Sequence, residues 1–164
     1  MKKAKKVILF TVVGLVAITT TALLWLGVFT APNINRFELK ISPYSTTFTF
    51  GEKIAFDINL QNNGRGRFIR QSASTQITSF RVYHYGTNDL VFQNVYTLVS
   101  NTIYIRRSRN IIEEHSIFTG TTNILNAITE SGVFEIVGFA NIGRPWGQNN
   151  FRVIETERIV IEVK

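Results

Sequence analysis

The sequence predicts an all-β protein, an antiparallel sandwich of about 7–8 strands preceded by one N-terminal transmembrane helix. Three observations predict it. Residues 7–29 carry no charged side chain and come after a flank containing Lys2, Lys3, Lys5 and Lys6. From Arg36 onward the pattern changes from continuous apolar to alternating, the period of a half-buried strand. Turn-forming residues punctuate the alternating runs, and little of that region has a helical period.

The N-terminal run comes first. At a rise of about 1.5 Å per residue, residues 7–29 match the roughly 30 Å hydrocarbon core of a bilayer. Its threonines are compatible with lipid because each hydroxyl can bond a carbonyl one turn back. Nothing polar supplies a second face, which argues against a buried core helix. The lysines stay on the cytoplasmic side, so the C-terminal remainder of the chain is expected outside, and Trp25 suits an interfacial ring. The run exceeds the apolar region of a cleavable signal, and Phe29-Thr30-Ala31 is a poor cleavage site because its outer position is bulky. A retained anchor is therefore expected, with secretion after signal cleavage as the alternative. The chain divides into a basic cytoplasmic flank (1–6), a signal-anchor or signal peptide (7–31), a linker (32–36) and an extracytoplasmic β-sandwich domain (37–164).

Within the domain, Phe37, Leu39 and Ile41 alternate with Glu38 and Lys40 until Pro43 breaks the strand. Ile54, Phe56, Ile58 and Leu60 alternate with polar or small residues and end at Asn62-Asn63-Gly64, where the glycine is expected to supply a positive φ. Residues 77–85 and 90–96 flank Gly86-Thr87-Asn88-Asp89 and predict a hairpin with Phe80 and Val82 on one face. Strands are also predicted over 102–106, 111–118, 133–141 and 151–163. Residues 123–129 predict a helical turn. Residues 143–150 form the most loop-like stretch, with Trp146 expected to cover one end of the core.

Phe37-Glu38-Leu39-Lys40-Ile41, then Phe50-Gly51-Glu52 leading into a strand that ends at Asn62-Asn63-Gly64, resembles the opening of immunoglobulin-like bacterial and archaeal surface domains. With the middle hairpin, residues 131–139 and a final strand, nearly all of 37–163 is similar to the proteinase-inhibitor family typified by a Bacillus intracellular inhibitor (BsuPI-like). The resemblance implies an immunoglobulin-like sandwich and, as one expectation of function, protease inhibition. It transfers no binding residues.

Composition narrows the chemistry. The formal charge is +7, but the four N-terminal lysines leave only about +3 for the rest, too little for a nucleic-acid footprint. No cysteine is present, which excludes disulfides, thiolate catalysis and Cys-based zinc sites. No Asn-x-Ser/Thr sequon occurs. Phosphate loops and nucleophile elbows are absent. His84 and His115 lie in separate predicted strands, and Glu113-Glu114 places its side chains on opposite faces of one. No spacing singles out a catalytic pair among Glu38, Asp57, Asp89, Glu135 and Glu155. Neither a catalytic residue nor a cofactor nor a metal is expected, and an enzyme is disfavoured.

Two basic groups remain, Arg65, Arg67 and Arg70 in one loop and Arg106, Arg107 and Arg109 in another. Clustered guanidinium groups bind phosphate or carboxylate, so these six are the candidate contacts to an anionic partner. Otherwise they form solvated loops that discourage stray strand pairing. The function expected is a non-enzymatic, membrane-anchored interaction or structural module. It would present loops or an edge strand to an unknown macromolecule, or self-associate. A subunit of an extracellular filament and a protease-inhibitor-like domain are the alternatives.

Overall fold

The structure, a computed structural model, describes residues 2–25, 33–64, 66–71, 76–94, 101–120, 127–143 and 151–164. Within these, side chains are described except those of residues 2–10, 25, 67–71, 101, 102, 143 and 151. The cleavage-site residues 29–31, Arg65 and the 143–150 loop with Trp146 lie wholly or mostly outside the described part.

One helix, α1 (Lys2–Trp25), occupies the N-terminus. The hydroxyls of Thr20 and Thr21 each donate to a carbonyl four residues back at 2.8 Å, and that of Thr19 bonds Leu15 and Val16. Their polarity is therefore satisfied within the helix. Val12, Val13, Leu15, Val16, Ile18 and Leu24 are exposed. Among the described residues, no helix is long and apolar enough to cross a membrane. The described side chains of α1 cover only residues 11–24, short of the ~20 that a span needs.

A 3-10 turn, Ile34–Arg36, is capped by Asn33, whose side chain accepts from the Asn35 amide. It leads into twelve strands among the described residues: β1 (Phe37–Pro43), β2 (Thr47–Phe48), β3 (Lys53–Asn62), β4 (Arg67–Gln71), β5 (Thr78–His84), β6 (Leu90–Asn94), β7 (Asn101–Ile105), β8 (Asn110–Thr119), β9 (Ala127–Ile128), β10 (Gly132–Gly143), β11 (Phe151–Glu155) and β12 (Ile159–Val163). One sheet has the order β1-β3-β8-β9. The other is centred on β10, which pairs β12 and then β11 along one side, and β5 and then β4 along the other. Strands β2, β6 and β7 lie beyond β12, β5 and β4.

The two sheets form a sandwich because strict alternation gives each an apolar inner face. In β3, Ile54, Phe56, Ile58 and Leu60 are all fully buried while the intervening residues are not. Ile54, Phe56 and Ile58 share a cluster with Phe80, Val82, Phe134, Ile136 and Ile161 from the opposite sheet, and Phe56 packs edge-to-face on Phe80 at 5.0 Å. A second cluster, Leu60, Ile105, Ala140, Ile142 and Ile154, continues the core toward the start of β1. Burial of a large apolar side chain contributes roughly 1.5–3 kcal/mol, so these residues supply the main stabilisation of a domain without disulfides.

Several expectations need correction. The sandwich is not purely antiparallel: β2 runs parallel to β12, and β9 parallel to β8. Both are two-residue strands that reach a sheet edge after a connection rather than through a hairpin. The helical turn expected at 123–129 is not formed at Ala127–Ile128, which is strand β9; residues 123–126 lie outside the described part. Arg67 and Arg70 sit in strand β4 rather than in a loop, because that segment completes pairing with both β10 and β7. The last strand is two. Phe139 pairs with Glu155 but Ile136 with Ile159, so one extra residue forms a bulge at 156–158. The Thr156 hydroxyl and amide are both bonded to the Gly138 backbone there. Finally, Gly51 does have a positive φ of 100°, whereas Gly64 does not. A Cβ on Gly64 would come within 2.7 Å of the Arg36 Cβ, so close approach is what requires glycine.

Candidate functional site

The second arginine group lies at one end of the sandwich, and of the first group the backbone of Arg67 reaches the same end. Strand β3 keeps its inward register for one more alternate position past Leu60, two residues on, and the residue there is Asn62, fully buried. A buried amide needs partners. Its Nδ2 donates to the carbonyls of Ile105 and Arg106 at 3.3 and 3.2 Å, and its Oδ1 accepts from the Gly64 amide at 2.9 Å. Its backbone accepts from Ser108 and donates to Arg109. One asparagine therefore holds the whole turn between β7 and β8, in which Ser108 adopts a φ of 59°.

The turn presents Arg106, Arg107 and Arg109, all exposed. Arg67, at the start of β4, lies in register with Ile105 just before the turn, so the backbone brings this member of the first group to the second. Arg70 lies further along, opposite Thr102. Arg65 lies outside the described residues, and of Arg67 and Arg70 only the backbone is described. Arg36 joins the same end. Its carbonyl accepts from Asn63 at 2.8 Å, and β1 begins at the next residue with Phe37 opposite Asn62. Among the described residues, no ion pair joins Arg36, Arg106, Arg107 or Arg109 to a carboxylate.

Two arginines elsewhere, Arg81 and Arg158, are neutralised, whereas Arg152 makes no ion pair among the described residues. On the outer face of the β10 sheet, Arg81 bonds Glu155 at 2.8 Å and lies 4.5 Å over the Phe139 ring. Arg158 bonds the buried Glu135 and lies 5.0 Å over Tyr83. The contrast matters, because a guanidinium already holding a carboxylate is not available to an external anion.

The histidines do not meet. His84 is half-exposed, 3.8 Å from Glu130. His115 is buried with its Nε2 2.8 Å from the Thr78 hydroxyl. Glu113 faces inward beside it and accepts from the Ile77 amide and from both the amide and the hydroxyl of Thr78. Glu113 ties the start of β5, in one sheet, to β8 in the other. Glu114 points outward opposite Asp57, whose carboxylate accepts from the Tyr44 hydroxyl at 3.1 Å. That hydrogen bond raises the Tyr44 phenol above its usual range. Glu38 pairs with Lys40. Among the described residues, no group of three or more His, Asp or Glu is placed to hold a metal ion.

Of this end of the molecule, sequence reasoning missed Arg36 and Asn62. The signal for Asn62 was present, since it continues the i, i+2 register of Ile54, Phe56, Ile58 and Leu60 onto the buried face.

No family model matches the chain, and no curated protein matches it. Solved structures do. The C-terminal domain of Wzt is similar with a TM-score of 0.51 at 9% identity, over 79% of this chain and 74% of that one. The CARDB domain of a Pyrococcus furiosus protein, solved in complex with di-metal ions, gives 0.44 at 13% identity over 78% and 87%. The sporulation control protein Spo0M of Bacillus subtilis gives 0.47 at 9% identity over 79% of this chain. The chain spans 49% of Spo0M, and 15% of a β-glucosidase from Erythrobacter marinus that it also matches. Identities this low speak to fold alone. The fold is a β-sandwich, with the C-terminal domain of Wzt as a structural likeness at a TM-score above 0.5, and nothing in the comparisons points to the proteinase-inhibitor family.

Proposed function

We propose that this protein is a membrane-anchored, extracytoplasmic, non-enzymatic interaction module whose arginine-bearing end rests against anionic lipid headgroups. Residues 7–29 are the anchor, of which 7–25 lie in α1, and the lysines before them remain on the cytoplasmic side. The observation that carries this reading is the position of the turn held by Asn62. It places three exposed, unneutralised arginines beside Arg36, the residue through which the chain coming from α1 enters the sandwich. Lipid phosphate is thus the anion nearest to hand. Exposed apolar side chains along residues 12–24 support insertion, since water leaves Val12, Val13, Leu15 and Ile18 without a partner.

A labelling experiment tests the topology. The chain has no cysteine, so Tyr85→Cys, at an exposed hairpin position, introduces a single thiol. Labelling by a membrane-impermeant maleimide in intact cells, with the chain retained in membranes through carbonate washing, is expected. A chain released by carbonate, or a thiol reached only after lysis, would overturn the assignment.

A further inference from the structure

We propose that the outer edge of β1 pairs with β1 of a second copy of this chain, antiparallel about a twofold axis through Leu39. Strand β1 is the end strand of its sheet. The bonds from Asn63 to Arg36 and from Tyr44 to Ala55 show which residues turn their backbone groups toward β3. They are the even-numbered ones, so Phe37, Leu39 and Ile41 turn theirs outward. The Phe37 amide is used by the Ile34 carbonyl. No hydrogen bond among the described residues reaches the outward amides of Leu39 and Ile41. The edge is not covered by the opposite sheet either, because a groove of about 480 Å³ separates residues 38–42 from the bulge at 156–158 and the first residue of β12.

The sequence of the edge selects its occupant. Odd residues must face odd residues for the outward groups to bond, which leaves four registers. Centring on Glu38 sets Glu38 against its own copy, and centring on Lys40 does the same with two lysines; like charges directly opposite are destabilising. Centring on Ile41 brings Pro43, which has no amide to donate, against Leu39. Centring on Leu39 puts Glu38 opposite Lys40 of the partner, twice, and leaves Pro43 outside the paired stretch. Leu39 then exchanges bonds with its own copy, and the Ile41 amide donates to the Phe37 carbonyl of the other chain. Glu38 and Lys40 already attract each other at 2.6 Å within one strand, each holding the other in its charged form, so the partner's charges meet them without a desolvated, unpaired group. This self-association deepens the reading as an interaction module and is independent of the membrane anchor.

The test is sedimentation equilibrium of the full chain in mild detergent at low salt, with E38K, K40E and the double exchange. Wild-type chain is expected to dimerise. Each single exchange should weaken the dimer by roughly tenfold, since two attractive pairs become two repulsive ones. The double exchange should return it to near the original affinity. As a second measurement, chains carrying Glu38→Cys and Lys40→Cys should form a disulfide dimer faster when mixed than either does alone. A wild-type chain still monomeric at about 100 µM, weaker than a specific pairing requires, would overturn the proposal. So would a dimer unaffected by the single exchanges, or a double exchange that fails to restore it. None of these results bears on carbonate extraction or thiol labelling.

Discussion

Nε2 of His115 lies 2.8 Å from the hydroxyl of Thr78 in a site almost closed to water. Thr78 gives its own proton to Glu113 at 2.6 Å, so the hydroxyl oxygen accepts and Nε2 of the imidazole is the nitrogen that carries a proton. Burial pushes the His115 pKa below its usual value of 6.5, against the opposing pull of Glu113 and Asp57.

A pH dependence results from that arrangement. Between the lowered folded value and about 6.5, the unfolded chain binds a proton at His115 that the folded chain does not, so stability rises with pH through this window. The contribution is complete above pH 6.5 and is lost as the pH falls below it. Thermal unfolding of the wild-type chain from pH 7.5 to 5 should show a falling midpoint. His115→Gln keeps a donor for Thr78 without the titration, and its curve should fall less steeply; parallel curves would exclude the mechanism.

Asn62→Ala is expected to destabilise the domain by about 1–3 kcal/mol, because it strands the buried carbonyl of Ile105 and the partly buried carbonyl of Arg106 and amide of Gly64. Urea unfolding reads the loss. Amide exchange should also accelerate at Ser108, whose amide donates to the Asn62 carbonyl, and at position 62, whose amide donates to the Arg109 carbonyl, since both bonds depend on the turn keeping its shape.

Those two sites show what the sequence disclosed and what it withheld. Strands β1, β3 and β10 were legible because one face of each is apolar or small at every second residue, and that pattern is local; β5 and β8 were legible from Phe80 with Val82 and from Ile111 with Ile117, although Thr78, Glu113 and His115 share their inward faces. Strands β2 and β9 were not legible, since two residues cannot establish a period and their pairing is set by distant partners. In β4, arginines flank Phe68 and Ile69, and the strand exists because β7 and β10 lie on either side of it. The stretches 102–106 and 111–118 were readable as strands, but not their assignment to opposite sheets, which depends on the Asn62 side chain from forty-odd residues earlier. For the same reason the arginines were legible only as two separate groups.

Gly138 lies at a close approach between the two sheets. A Cβ there would meet the Ile58 Cδ1 at 3.0 Å and the Thr156 Cγ2 at 3.2 Å, squeezed between the floor of the core and the bulge. Ile58 is fully buried and cannot withdraw freely. Gly138→Ala should cost about 1–3 kcal/mol by overpacking, measured by urea unfolding. Paired with Ile58→Val it should cost less than the two changes summed, because the smaller side chain relieves the same contact.

The proposed lipid contact has a direction, set by the course of β1. That strand runs from Phe37 beside the arginine turn to Pro43 at the other end, where it lies opposite Phe56. Arg107 and Lys53 therefore occupy opposite ends of one sheet, both exposed. A fluorophore on Arg107→Cys, with the full chain in vesicles containing anionic lipid, should be quenched by nitroxide-labelled headgroups, whereas the same probe on Lys53→Cys should not. Raising the salt concentration should reduce quenching at position 107, because exposed charge pairs are screened over about 10 Å at 0.1 M, while the anchor keeps the chain on the vesicle. Equal quenching at both positions, or none at 107, would mean that the arginine end faces away from the bilayer and that its anion is not lipid phosphate.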